Sequence, residues 1–307
     1  MNNEPRQTRR EEIEKAIGKL EEFNKDPTYS NRLYAIEENL IFLKAIRSFP
    51  TYLKWLLTRA GKLDGTKLLE LTDFPVPEWD RKMHWRLIEI QKRDKPGLVK
   101  PLVEAIIEFV GQSNHDLVCA NLGAGGMEVD RQVIRRLLDS GFKKQLVVVA
   151  IDKSATTQEI AKENLAGIKD EVELVEVAQL DKDKLETIKQ QAKKNIIVVL
   201  CQNDIFGLNR IFPNKYFDLV YHSLFKHHLT DQQKKEFDGV IKYISKNSFE
   251  FDGYWSKPLL LVQSIFAWQH PIFLNGTVFS MLRYNKTVSG SERMKISNKT
   301  AHYLKQL

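Results

Sequence analysis

Between Leu117 and Asp152 the chain reads LVCANLGAGGMEVDRQVIRRLLDSGFKKQLVVVAID, and no other segment constrains the fold as strongly. An apolar run, Leu117–Ala120, leads into a loop carrying Gly123, Gly125 and Gly126. An amphipathic stretch follows. A second apolar run, Leu146–Ile151, then stops at Asp152. Short apolar runs without polar alternation fit strands buried on both faces of a parallel sheet. A turn with little side-chain bulk lets the backbone approach a ligand closely. An acid at the tip of the next strand is placed to accept both hydroxyls of a ribose. Strand, glycine turn, helix, strand, acid is half of a nucleotide-binding α/β unit, and it predicts an adenosine-containing ligand.

The alternation continues downstream. Strands are predicted at Leu117–Asn121, Leu146–Ile151, Ile196–Cys201, Phe217–Tyr221 and Leu259–Gln263, and helices near Asp130–Leu138, Thr156–Leu165, Lys182–Lys194 and Asp231–Ser245. This pattern predicts a mostly parallel sheet with helices on both faces. Val172–Val177 fits a strand or part of a helical insert, and Val278–Tyr284 is predicted as a further strand. Upstream the chain reads as helical. Ile13, Ile17, Leu20 and Phe23 recur at helical spacing, Asp26-Pro27 breaks the run, and Leu33, Ile36, Leu40 and Leu43 mark a second helix before Pro50. Residues 1–97 are therefore expected to form a helical N-terminal extension, and residues 98–307 the α/β domain.

Composition narrows the function classes. The 307 residues carry a formal charge of +7, from 47 basic against 40 acidic residues, mostly alternating as in RREEIEK and QQKKEF. Such mixing reads as an ordinary solvated surface, so nucleic acid is a possible partner but not the favoured one. The 2 cysteines, Cys119 and Cys201, fall in predicted buried strands and read as core residues in a reducing compartment. No Cys or His spacing supports a metal site. The N-terminus has no apolar signal core. The run Pro258–Trp268 is shorter than the roughly 20 residues needed to cross a bilayer. The chain is expected to be soluble and cytoplasmic, and its oligomeric state is not legible.

Two cofactor types use such a glycine loop. A dinucleotide fold places a third glycine at the position held here by Glu128, and a carboxylate there repels a pyrophosphate on the helix N-terminus. A sulfonium cofactor has no phosphate to repel. At this point the residues resemble the class I S-adenosylmethionine-dependent methyltransferases, over roughly Leu98–Gln263. The loop Asn121-Leu-Gly123-Ala-Gly125-Gly126-Met127 is similar to the family's acid–G-x-G-x-G, with Asn121 for the acid and Met127 for the last glycine. FDLVYHSLFKHHLTDQQKKEF, from Phe217, resembles the family's F-D-L-V-x-x-x-x-x-L-H-H-L-x-D.

The resemblance implies a Rossmann-like class I methyltransferase sheet and S-adenosylmethionine as cofactor. It places Asn121, Gly123, Gly125 and Gly126 at the methionine end. Asp152 and Lys153 fall by the ribose, Asp204 and Ile205 by the adenine, and Tyr221 beside the transferred methyl. Asp152 also fits a helix cap, and Asp204 a turn-forming Asn-Asp pair. His222 and His227 are candidate bases, needed only where the acceptor loses a proton as it reacts; each also fits a structural role. No N-P-P-Y or D-P-P-Y segment is present, which by the same resemblance argues against methylation of base amino groups. Trp79, His84 and Trp85 fit either a lid over the cofactor or an ordinary helical core. The expected function is methyl transfer to a small-molecule acceptor. The alternatives are a non-catalytic S-adenosylmethionine-binding or scaffold protein, an RNA methyltransferase, and, disfavoured by Glu128, a nicotinamide enzyme.

Overall fold

The computed structural model describes residues 8–93, 99–223, 225–251, 264–265 and 267–287. In chain order its principal elements are α1 (Arg9–Lys25), α2 (Leu33–Ala45), α3 (Phe49–Thr58), α4 (Pro77–Arg93) and α5 (Lys100–Gln112), then β1 (Leu117–Leu122), α6 (Glu128–Asp139), β2 (Leu146–Ile151) and α7 (Ala155–Leu165). They continue with β3 (Glu173–Val177), α8 (Lys182–Gln191), β4 (Ile196–Cys201), α9 (Leu208–Ile211), β5 (Phe217–Ser223), α10 (Asp231–Ile244), β6 (Ser245–Phe251) and α11 (Pro271–Thr287).

Two compact units divide these elements, with α4 passing from one to the other between Met83 and His84. The first holds α1–α3, the start of α4, and α11. The second holds the rest of α4 and everything from α5 to β6. The division thus differs from the expected boundary after residue 97, and it groups α11 with the N-terminal helices.

Among the described residues the first unit is all-helical. Thr8 and Glu11 form a reciprocal capping box that starts α1. Ile13, Ile17 and Leu20 of α1, Ile36, Phe42 and Leu43 of α2, and Leu274, Val278 and Phe279 of α11 share one buried core. The strand predicted at Val278–Tyr284 is instead the second half of α11. The buried positions Leu274, Asn275, Val278, Phe279 and Met281 follow helical and not twofold spacing, and Pro271 occupies the first turn, where its missing N–H costs nothing. Asn275 ties α11 to the other helices. Its Oδ1 accepts from the Leu71 N–H at 2.9 Å, and its Nδ2 donates to Asn39 Oδ1 at 2.7 Å.

Among the described residues the second unit holds a parallel six-stranded sheet in the order β3-β4-β2-β1-β5-β6. β1, β2 and β4 are buried along their whole length, as their continuous apolar runs require when both faces are covered. Cys119, Val148 and Val198 face a core shared with α5, α6 and α7, whereas Ala120, Val149 and Val199 face a core shared with α8, α9 and α10. With the edge strand β3 set aside, the remaining strands run 3-2-1-4-5 in order of appearance, the doubly wound Rossmann-like arrangement. The order reverses between β1 and β5, and in such sheets ligands collect in the crevice beyond the carboxyl ends of the strands at that switch point.

The segment left open at Val172–Val177 is a strand. β6 was not foreseen. The predicted helix over Asp231–Ser245 ends at Ile244, and SKNSFEF then pairs with β5 as the edge strand among the described residues. Its exposed Lys246, Asn247, Ser248 and Glu250 hid it, because an edge strand needs only part of one face to be apolar. Asp218, part of the resembling F-D-L-V motif, is structural. It accepts from the Val118 N–H at 2.8 Å and from Lys246 Nζ at 2.8 Å, joining β1, β5 and β6. The strand predicted at Leu259–Gln263 lies outside the described residues.

Candidate functional site

The switch point sits where Asn121 of β1 pairs in register with Tyr221 of β5. Beyond it, Gly123 and Gly125 take φ of +68° and +51°, and Met127 takes +57° as the residue that opens α6. The loop is tied to the end of β2. The N–H groups of Gly123 and Ala124 donate to the Ile151 carbonyl at 2.8 and 3.2 Å. Asn164 of α7 donates to the Gly126 carbonyl at 2.9 Å.

Asp152 completes the tie. One carboxylate oxygen accepts from the Gly125 N–H at 3.0 Å, and the other accepts from the Ser154 N–H at 2.9 Å. Two bonds leave a carboxylate with acceptor capacity for further donors. Its own N–H donates to the Cys201 carbonyl at 3.2 Å, so the ends of β1, β2 and β4 meet at this residue. Lys153 beside it is exposed.

After β4, Asp204 is exposed and accepts from the Phe206 N–H at 3.1 Å, capping a single turn at Ile205–Gly207. Ile205 is buried and Phe206 half-buried. The neighbouring Asn203 makes a reciprocal pair with the Leu180 backbone, at 2.7 and 2.8 Å.

Beneath the loop lies a buried polar group that the sequence reading did not single out. Asp130, in the first turn of α6, is 1% exposed. Asn121 Nδ2 donates to its Oδ2 at 2.7 Å, and the Tyr221 hydroxyl donates to its Oδ1. Burial raises the Asp130 carboxyl above the usual carboxylate range, against the pull of both donors, and burial beside that carboxylate raises the Tyr221 phenol well above its ordinary value. Asn121 Oδ1 is buried and has no hydrogen-bond partner among the described residues.

Glu128 is also buried, but it is neutralised. Arg131 forks onto it at 2.6 and 2.8 Å, and Gln132 and Asn164 each add a bond at 3.1 Å.

Side chains cover the glycines. The Phe225 ring lies against Gly123, His84 against Gly125, and Ile88 against Gly126. His84 and Ile88 come from the part of α4 that belongs to this unit, so one of the three upstream aromatics is at the loop. Trp79 is buried in the helical core of the first unit.

Tyr221, read as lying beside the transferred methyl, and His222, read as a candidate base, are both buried. Tyr221 points to Asp130 on the α6 side of the sheet. His222 is buried on the opposite side, edge-on to Phe237 at 5.1 Å between ring centres, with Nε2 3.9 Å from Glu250. Successive residues of one strand face opposite sides of the sheet. His227 lies in a single turn at Lys226–His228, and its side chain is outside the described residues.

Asn121, Gly123, Gly125, Gly126 and Asp152 are therefore brought together, and Asp204 and Ile205 stand after the adjacent strand. Of the residues that were missed, Asp130 could have been found as an acid in the first turn of the helix after the glycine loop. Phe225 and Asn164 carried no signal, because they reach the loop from distant segments.

No family model and no curated protein matches the sequence. Solved structures with a similar fold exist. One is a protein of Methanococcus maripaludis, provisionally described as an S-adenosyl-L-methionine-dependent methyltransferase, with 17% identity over 73% of this chain and 84% of that one, at a TM-score of 0.42. A second is the CurJ carbon methyltransferase, with 12% identity over 94% and 63%, at 0.44. A third is the plantazolicin methyltransferase BpumL in complex with SAH, with 11% identity over 93% and 77%, at 0.39. The chain thus spans less than two thirds of CurJ. These neighbours are described as methyltransferases, the class that the motifs resemble; at such scores the reading of this chain rests on its own residues.

Proposed function

We propose that this chain is an S-adenosylmethionine-dependent methyltransferase acting on a small-molecule acceptor. One observation carries the reading: the Gly125 N–H stands 3.0 Å from Asp152, which joins the glycine loop to a strand-end carboxylate at the switch point of a doubly wound sheet.

The residues present fit the cofactor. Asp152 keeps acceptor sites for a ribose diol, and Asp204 with Ile205 and Phe206 can take the adenine amine and ring. Asn121 Oδ1 is a buried acceptor whose donor is still to be supplied. S-adenosylmethionine, when bound, supplies a methyl group activated by a sulfonium. This chain contributes grip, alignment and exclusion of water, which suffice for an in-line transfer to a nucleophile that needs no base. With His222 in the core, His227 is the remaining candidate for a proton acceptor where the substrate requires one.

A non-catalytic cofactor-binding protein is the second reading. It is favoured by the placement of Tyr221 and His222 inside the sheet's two cores.

The test is calorimetric titration with S-adenosylmethionine and its demethylated product. Asp152→Ala is expected to weaken both by roughly 100-fold or more, the loss of two hydrogen bonds to a charged group. Unchanged affinity overturns the site. Tight binding without methyl transfer to any member of a broad acceptor panel selects the second reading.

A further inference from the structure

The polar group under the glycine loop has a direction built into it. An ionised carboxylate only accepts hydrogen bonds, and Asn121 presents its amide nitrogen to Asp130 at 2.7 Å. The Tyr221 hydroxyl occupies the other carboxylate oxygen. Asn121 is thereby fixed with Oδ1 turned away from Asp130. That oxygen is buried and lacks a donor among the described residues, in a side chain only 2% exposed. Buried acceptors of this kind are nearly always satisfied. The partner it awaits must be a donor.

Charge narrows the donor further. Asp130 receives its bonds from two neutral groups, and no cation pairs with it among the described residues, in contrast to Glu128 with its Arg131 fork. A buried carboxylate without a cation favours a positively charged ligand group nearby. The polarised amide of Asn121 stands between that charge and the start of the glycine loop, two residues before Gly123.

We propose that Asp130 is a positioning residue that acts through Asn121 to make the end of β1 a receptor for a protonated amine of the ligand. The assignment rests on the proposed function, which supplies such an amine in the α-ammonium of S-adenosylmethionine. It deepens that reading by naming the charge that replaces the strand-end acid and the side chain that delivers it. Tyr221 then belongs to the site from behind, as the second donor that holds Asp130 in place.

The experiment compares two ligands by calorimetry on the full chain: S-adenosylhomocysteine, which carries the amino-acid end, and 5′-methylthioadenosine, which lacks it. Asp130→Asn is expected to reduce the affinity ratio of the first to the second by roughly 10- to 100-fold. The affinity for 5′-methylthioadenosine itself should hold within about twofold. Asn121→Leu, of similar volume, is expected to reduce the ratio alike. Adding Asp130→Asn to it should then change nothing further, because the acid acts through the amide. If Asp130→Asn does not fold, Asn121→Leu carries the test by itself. A ratio that does not move, or equal losses for both ligands, overturns the assignment while leaving the proposed function standing. Failure of the unaltered protein to bind either ligand overturns both.

Discussion

Gly123→Ala probes the loop most directly, because two separable costs meet at that residue. The first is conformational: φ is +68°, where an alanine pays about 1–2 kcal/mol for the left-handed backbone. The second is steric. A Cβ built on Gly123 would lie 2.3 Å from Cδ2 and 2.6 Å from Cγ of Phe225, closer than real atoms approach. The Phe225 ring also packs on Phe237, with centres 5.4 Å apart, so it can yield only by giving up that contact. Overpacking of this kind costs about 1–3 kcal/mol. The sum is about 2–5 kcal/mol, or a fall in Tm of roughly 5–15 °C for a unit of this size. Gly141→Ala isolates the first cost, since Gly141 has φ of +70° and nothing within 4 Å of the added carbon. Phe225→Ala removes the second. Scanning calorimetry of the four variants, with Gly123→Ala also made in the Phe225→Ala background, gives the coupling. The Gly123→Ala penalty should fall to that of Gly141→Ala once the ring is gone. An identical penalty in both backgrounds refutes the contact, and with it the view that Phe225 covers the mouth of the loop.

Three further outcomes are expected. Because burial raises the folded-state pKa of Asp130, its contribution to stability is full below the unfolded value of about 3.9 and is lost as pH rises through the folded pKa. The stability difference between Asp130→Asn and the unaltered chain should therefore shift in favour of the variant as pH rises from about 4, read from urea midpoints at successive pH values; a difference flat with pH contradicts the burial argument. Burial pushes the Cys201 thiol up to about 12, and Cys119 higher still, so mass spectrometry should find neither alkylated by iodoacetamide in native protein and both alkylated in urea. Asn275→Ala leaves the buried Leu71 N–H and Asn39 Oδ1 without their partner, which should cost the helical unit about 2–5 kcal/mol in denaturant titration; a loss below about 0.5 kcal/mol argues against α11 as a member of that unit.

The sheet was legible because burial on both faces leaves no choice of residue type: Leu117–Ala120, Leu146–Ile151 and Ile196–Cys201 are apolar at every position, and all three are strands. β6 was not, because an edge strand keeps polar residues and imitates a loop. α11 was misread because VFSMLRY mixes apolar and polar residues in a way that suits either period over seven positions, and only packing against α1 and α2 selects the helix. At the candidate site, the conformation of the loop and the place of Asp152 could be read because backbone turns and strand ends are specified by short segments. The orientations of Tyr221 and His222 could not, since the pattern that places them on β5 does not say which face each residue takes. Phe225 and Asn164 reach the glycines only through tertiary folding.

From sequence, Glu128 was the carboxylate that a pyrophosphate on the start of α6 would meet. In the structure its charge is taken up by the fork from Arg131, so it repels little. Two residues on, Asp130 has neutral donors only, so when ionised its charge is met by no cation among the described residues. A phosphate brought to the N-terminus of α6 gains from the helix dipole, about 0.3–1 kcal/mol, but faces a like charge in a medium that screens it poorly. A protonated amine gains from the carboxylate and satisfies Asn121 Oδ1 as well. The same two groups that make the loop unfriendly to a pyrophosphate make it fit the ammonium end of S-adenosylmethionine. On the proposal made above, Asn121 in place of the strand-end acid moves the charge one layer inward, to Asp130, and keeps its sign.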